Sequence, residues 1–260
     1  MKSRNIHYSS DGVAQWLDDY RNKWDDFYPS EQWAFNKIGS TKAFGRVLDA
    51  GCGSGGLGLA ISSRYPLKEY HGIDINPVMI SYAQKNKSRF KVPITLQCAD
   101  ILETELVKES YDTVISLSCV DWNIETKAMI EKCWQYVKPG GFFVMSVRLS
   151  TEKGIDNIKI SYQIIKSGEN GKPSEIANYV VFNAQEFFRM VKNFKPRPSK
   201  VYGYGYWGAP AKTAVTPYKE LIFGVVIIQK KESHDKKWKI GVQLDFPLDS
   251  HATGHSARKK

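Results

Sequence analysis

The feature that most constrains this chain is a glycine loop between an apolar strand and a helix. It reads Val47-Leu48-Asp49-Ala50-Gly51-Cys52-Gly53-Ser54-Gly55-Gly56. Glycines at 51, 53 and 56 let the backbone turn sharply and approach a ligand closely. The loop heads an alternating series. Arg46–Ala50 reads as a buried strand, Leu57–Arg64 as a helix, and His71–Ile75 as a second strand. Asn76-Pro77 then opens a helix, with Asn as N-cap and Pro at the first helical position. Ile94–Cys98 and Tyr111–Leu117 are further strands, the latter continuously apolar as a central parallel strand should be. Glu125–Val137 reads as a helix stopped by Lys138-Pro139-Gly140-Gly141, and Phe142–Val147 as a fifth strand.

Strands alternating with helices at short spacing predict crossover connections and a parallel sheet. Lys200–Tyr206 and Leu221–Gln229 add two strands, and Asn183-Ala184-Gln185-Glu186 opens a helix through a capping box. The expected fold class is therefore α/β: a Rossmann-like, doubly wound, seven-stranded, mostly parallel sheet with helices on both faces. Residues 1–43 are expected to form a helical, aromatic-rich lid. Residues 44–229 form the domain, with insertions at 150–182 and 207–219. Residues 230–260 are expected to be a basic, partly disordered extension.

Taken alone, the GxGxxG pattern is shared by nicotinamide, flavin and other nucleoside binders. Three carboxylates narrow it. Asp49 precedes the loop, Asp74 ends the second strand and Asp100 ends the third. In a doubly wound sheet all three lie at the carboxyl edge, beside the point where strand order reverses. A pyrophosphate would be repelled by Asp49. A ligand with an amino group, a sulfonium, a ribose diol and an adenine amine uses all three.

The set resembles the class I S-adenosylmethionine (SAM)-dependent methyltransferases. VLDAGCGSG, GIDIN, CAD, YDTVISLS and KPGG correspond to their successive motifs over residues 44–150. The resemblance implies SAM as cofactor. It places Asp49 with the backbone of Gly51 and Gly53 at the methionine end, Asp74 on the ribose hydroxyls and Ile75 against adenine. It also places Asp100 on the adenine amine, Ile101 stacking nearby and Ser116 along the methionine side. The stretch Trp24–Phe35 resembles the leader of small bacterial methyltransferases of surface-polysaccharide pathways.

The loop after the fourth strand, Ser118–Asn123, faces the transferred methyl in this fold. Asp121 is a candidate to take a proton from a hydroxyl or to hold an amine cation, with Asn123 beside it. The plainer alternative for either is a helix cap. His7, ahead of the aromatic leader, is a further candidate base. Tyr202, Tyr204 and Tyr206 alternate on one face of a strand, either to stack on a ligand or to pack under an insertion. The expected reaction is methyl transfer to a hydroxyl of a sugar or nucleotide-linked sugar. The alternatives are N-methylation of a small amine or phospho-amine, and methylation of RNA or tRNA.

The net charge of +10 is segregated: zero over residues 1–43, +1 over 44–150 and +9 over 151–260. Lys192, Lys195, Arg197 and Lys200 form a run without an acid. That pattern fits a small anionic acceptor at least as well as a polynucleotide, and a surface that coats nucleic acid would not need such segregation, so a small anionic acceptor is expected and nucleic acid is not. The longest apolar run, Leu221–Ile228, falls far short of the roughly 20 residues of a spanning helix. Residues 1–7 lack a signal-peptide core, so a cytoplasmic location is expected. Cys52, Cys98, Cys119 and Cys133 form no CxxC pair and have no zinc-type spacing, so no metal is expected.

Overall fold

The computed structural model describes residues 15, 18–41, 44–166, 175–233 and 239–248. His7, and the polar tail from residue 250, lie outside the described residues. The central sheet begins with β1 (Gly45–Ala50), β2 (Leu67–Asp74), β3 (Ile94–Cys98), β4 (Tyr111–Ser116) and β5 (Val137–Ser150). Between and before them run helices α1 (Pro29–Gly39), α2 (Gly56–Arg64), α3 (Pro77–Lys85) and α4 (Thr126–Tyr136). Every residue of β4 is buried, because helices cover both of its faces and neighbours flank both of its edges.

The remaining elements are β6 (Tyr162–Lys166), β7 (Glu175–Asn178), β8 (Phe182–Asn183), α5 (Ala184–Lys192), β9 (Pro198–Gly208), β10 (Ala214–Val215), β11 (Leu221–Lys230) and β12 (Gly241–Asp245). The main sheet runs β12-β9-β11-β5-β4-β1-β2-β3, with β8 against the end of β5. Pairings from β3 to β5 are all parallel. β11 is antiparallel to both β5 and β9. The seven expected strands are therefore present as β3, β2, β1, β4, β5, β11 and β9, with β12 and β8 added. β1 lies between β2 and β4, so the loops after β1 and β4 part and leave a crevice at the carboxyl edge. Both insertions have order of their own: β6, β7 and β10 pair as a three-stranded antiparallel sheet.

Within the C-terminal extension, residues 239–248 add an element to the sheet. They supply β12, parallel to β9, and Phe246 lies across Gly203, Gly205 and Gly224. A Cβ at any of the three would come within 2.5 Å of its ring. That contact explains the Tyr-Gly-Tyr-Gly-Tyr alternation: the glycine face carries Phe246, and the tyrosine face meets the N-terminal helix. Tyr204 stacks on Trp33 with ring centroids 5.7 Å apart, and Lys37 sits 4.8 Å over Tyr202.

Lys230 is fully buried beneath α4. Its ammonium donates to the carbonyls of Trp134 (3.1 Å) and Val137 (2.7 Å) and pairs with Glu109 at 3.1 Å. It satisfies carbonyls that the end of α4 leaves free. Burial pushes its pKa down, and Glu109 opposes that. Lys230→Met should cost about 2 kcal/mol, read as a lowered urea midpoint with unchanged slope.

Candidate functional site

A cavity opens at the carboxyl ends of β1 to β4. Asp49, Gly51, Gly53, Asp74, Ile75, Asp100 and Ile101 all line it, with Arg21 and Phe27 of the N-terminal segment at its mouth. The loop that brings them together is fixed by β2: Gly51 N and Cys52 N donate to the Ile73 carbonyl at 2.8 and 3.0 Å. Gly51 has φ +83°, and a Cβ there would lie 2.3 Å from Cys119 Sγ, so only glycine fits. Gly53 differs. Nothing lies within 4 Å of where its Cβ would stand, so its bare backbone faces open cavity.

Asp74 accepts from Gly53 N at 2.9 Å and from Asn76 N at 2.8 Å. These bonds hold its carboxylate rigid, and an ionised carboxylate has lone pairs for further donors. Asp100 lines the cavity while its Oδ1 also accepts from Leu102 N at 2.9 Å. Asp49 is buried, and the Tyr70 hydroxyl donates to it at 2.6 Å. Desolvation pushes the Asp49 pKa up to about 7; Tyr70 opposes the rise and Asp74 adds to it. A buried carboxylate with one partner and an acidic neighbour is a site that a cation would relieve.

Ser116 corrects its expected place. It is fully buried, and its hydroxyl donates to the Ala50 carbonyl at 2.9 Å, tying β4 to β1. The next residues, Leu117 and Ser118, line the cavity instead. Asn123 is also corrected. Its Oδ1 accepts from Glu125 N at 2.7 Å and its Nδ2 donates to Met129 Sδ at 3.3 Å, so its polar atoms serve the entry to α4. It borders the first cavity but not the second one beside it.

That second cavity, of about 380 Å³, adjoins the first, and Ser118 and Trp122 line both. Ser118 has φ +48°, rare for a side chain with a Cβ. Its N–H donates to Ser146 Oγ at 2.6 Å, which holds the turn. Besides β5 and β11, three stretches wall the second cavity: Tyr28, Ser30 and Glu31 from the N-terminal segment, Gln163 and Tyr179 from the first insertion, and Tyr206, Gly208, Ala209 and Ala211 around the end of β9.

Asp121 lies in this second cavity, 3% exposed. Its Oδ2 pairs with Arg148 at 3.0 Å, while Oδ1 is buried with no hydrogen-bond partner among the described residues. Burial raises its pKa, and Arg148 opposes the rise. Arg148 itself lies 3.7 Å over the Tyr179 ring. Glu31 is buried too and held by both guanidinium nitrogens of Arg21, at 3.0 and 3.1 Å.

Sequence reasoning missed Arg148 and Glu31. The signal for Arg148 was a lone charge in Phe142–Leu149, a strand otherwise apolar but for Ser146. The basic run proved the wrong cation to follow. Lys200 pairs with Gln229, while Gly208 pairs with Leu221, so Lys200, Lys195 and Arg197 lie toward the sheet edge opposite the cavities. None of them, nor Lys192, lines either cavity.

Residues 47–141 match the family model described as a methyltransferase domain. Malonyl-[acyl-carrier protein] O-methyltransferase of Anoxybacillus flavithermus is 40% identical over 86 residues, which is 33% of this chain and 32% of that protein. The match thus spans about a third of the length of that curated relative. A SAM-dependent methyltransferase of Methanosarcina mazei shares the fold at 17% identity, with a TM-score of 0.56, over 79% of this chain and 99% of that one. A phosphoethanolamine N-methyltransferase of Haemonchus contortus, solved with phosphomonomethylethanolamine and S-adenosylhomocysteine, does so at 15% identity. Its TM-score is 0.58, over 86% of this chain and 58% of that one. The fold is shared with SAM-dependent methyltransferases, proteins whose cofactor is SAM. The open space at Gly53 and the strained buried charge of Asp49 fit such a cofactor. Among the described residues no cluster of side chains could hold a metal, and no helix is long and apolar enough to cross a membrane.

Proposed function

We propose that this protein is a SAM-dependent methyltransferase acting on a hydroxyl of a small polar acceptor, a sugar ring in the first instance. The observation that carries this reading is the shared wall. Ser118 and Trp122 border both cavities, and Asp121 stands next to them with one carboxylate oxygen unengaged.

The cofactor supplies a methyl group already activated by its sulfonium. Asp49 meets the α-amino group, and Asp74 takes the ribose hydroxyls beside Ile75. Asp100 and Ile101 meet the adenine, and Gly51 and Gly53 give the backbone room for the methionine end. Asp121 Oδ1 accepts the acceptor's hydroxyl proton as the oxygen is methylated. Arg148 holds the other carboxylate oxygen and fixes the carboxylate in the cavity wall. Tyr28, Trp122, Tyr179 and Tyr206 orient the acceptor and exclude water. An anionic acceptor has lost its support, because the basic run lies elsewhere and the cavity's own cation is engaged by Asp121.

The test is release of S-adenosylhomocysteine from SAM across a panel of sugars, nucleotide-sugars, phospho-amines and tRNA. Release with a hydroxyl acceptor is expected. Release only with the amines or with tRNA would contradict the oxygen assignment.

A further inference from the structure

The second cavity has a charge balance that restricts what can enter it. Three charged side chains line it among the described residues, and each is already paired: Glu31 by Arg21, and Asp121 and Arg148 by each other. Arg148 is further occupied by the Tyr179 face and donates to the Val180 carbonyl at 3.4 Å. A charged group entering here would meet no free counter-charge, and an unpaired buried charge is costly. Two further polar atoms on the wall are engaged. Ser146 Oγ accepts from Ser118 N, and Gln163 Nε2 donates to Thr213 Oγ1 at 3.1 Å. Two wall residues keep a buried polar atom with no hydrogen-bond partner among the described residues: Asp121 Oδ1, acceptor-only when ionised, and the Tyr179 hydroxyl, which can donate or accept, a pair that suits a neutral hydroxyl on the ligand. The rest of the wall is largely aromatic, with Trp122, Tyr206 and Phe223 among its faces. Such faces suit the C–H surface of a ring.

We propose that the part of the acceptor entering this cavity is an uncharged, hydroxyl-bearing ring, and that ionic acceptor groups are excluded from it. This rests on the methyltransferase reading above. Four matched probes test it in S-adenosylhomocysteine release: methyl glucopyranoside, glucuronate, glucose 6-phosphate and glucosamine. The neutral glucoside should exceed each charged member in kcat/KM by at least about tenfold, the scale of one unpaired polar group. A charged member equal to or better than the glucoside overturns the proposal, as does inactivity of all four in an enzyme that binds S-adenosylhomocysteine. Failure to bind S-adenosylhomocysteine overturns the underlying reading, so the two failures are told apart.

A binding experiment needs no turnover. Asp121→Asn is nearly isosteric and leaves Arg148 uncompensated. Calorimetry should show glucuronate gaining about tenfold on methyl glucopyranoside relative to the unsubstituted protein. An unchanged ranking would remove the charge-balance basis of the proposal.

Discussion

Replacing Asp49 with asparagine should make the cofactor-free protein more stable while weakening its hold on SAM. Burial raises the Asp49 pKa from 3.8 to about 7. A carboxyl with a raised folded-state pKa favours folding most when protonated. Its contribution is complete below pH 3.8 and is lost as pH climbs toward 7. At pH 8 the ionised group costs the fold on the order of 4 kcal/mol. Asparagine removes that charge yet can still accept from Tyr70. The variant should therefore gain up to a few kcal/mol over the unsubstituted protein at pH 8, with little gain near pH 4. Cofactor binding should move the other way, falling about 10- to 100-fold, because the α-ammonium loses its counter-charge. The unsubstituted protein should itself bind SAM less well below pH 7, as Asp49 takes up a proton. Thermal melts with and without SAM at both pH values decide the matter. A variant less stable without cofactor at pH 8 would show that Asp49 is structural.

The second large effect is on turnover. Asp121→Asn should lower kcat by about 10²- to 10⁴-fold, the usual worth of a positioned base, with cofactor affinity within about twofold of normal. The split follows from location: Asp121 lines the second cavity and not the first. Because its pKa is raised, the acid limb of the kcat profile should lie above the range of an ordinary carboxylate. A variant that keeps kcat but binds SAM poorly would move Asp121 from the reacting end to a supporting role in the cofactor cavity.

The cofactor side was legible in the sequence for a physical reason. Asp49, Gly51, Gly53, Asp74 and Asp100 each sit at a strand end or in the turn after it, and alternation of strands and helices fixes where strand ends meet. Local pattern and global topology say the same thing there. Ser116 is the exception, one residue from the lining. The strand stays regular there, and its hydroxyl turns inward to the Ala50 carbonyl.

The second cavity was less legible because its chemistry depends on partners far apart in the chain. Arg148 and Asp121 meet between β5 and the turn after β4. Glu31 is the first-turn carboxylate of α1, and its pairing with Arg21 needs the segment before the helix to fold back. The basic run misled because charge was counted along the chain, whereas β9, antiparallel to β11 and so running the same way as β5, begins at the amino edge and leaves Lys200 far from the carboxyl edge. The glycines of β9 gave no hint of Phe246, whose segment returns only after β11.

The most direct test is calorimetric titration of S-adenosylhomocysteine into the protein and its Asp74→Ala variant. The unsubstituted protein should bind one equivalent and show no heat with NAD(H). The variant should lose at least about a hundredfold in affinity, since two hydroxyls lose a charged acceptor worth about 1.5–3 kcal/mol to each. Equal affinity in the two proteins would contradict the placement of the ribose at the end of β2, and the cofactor site built around it.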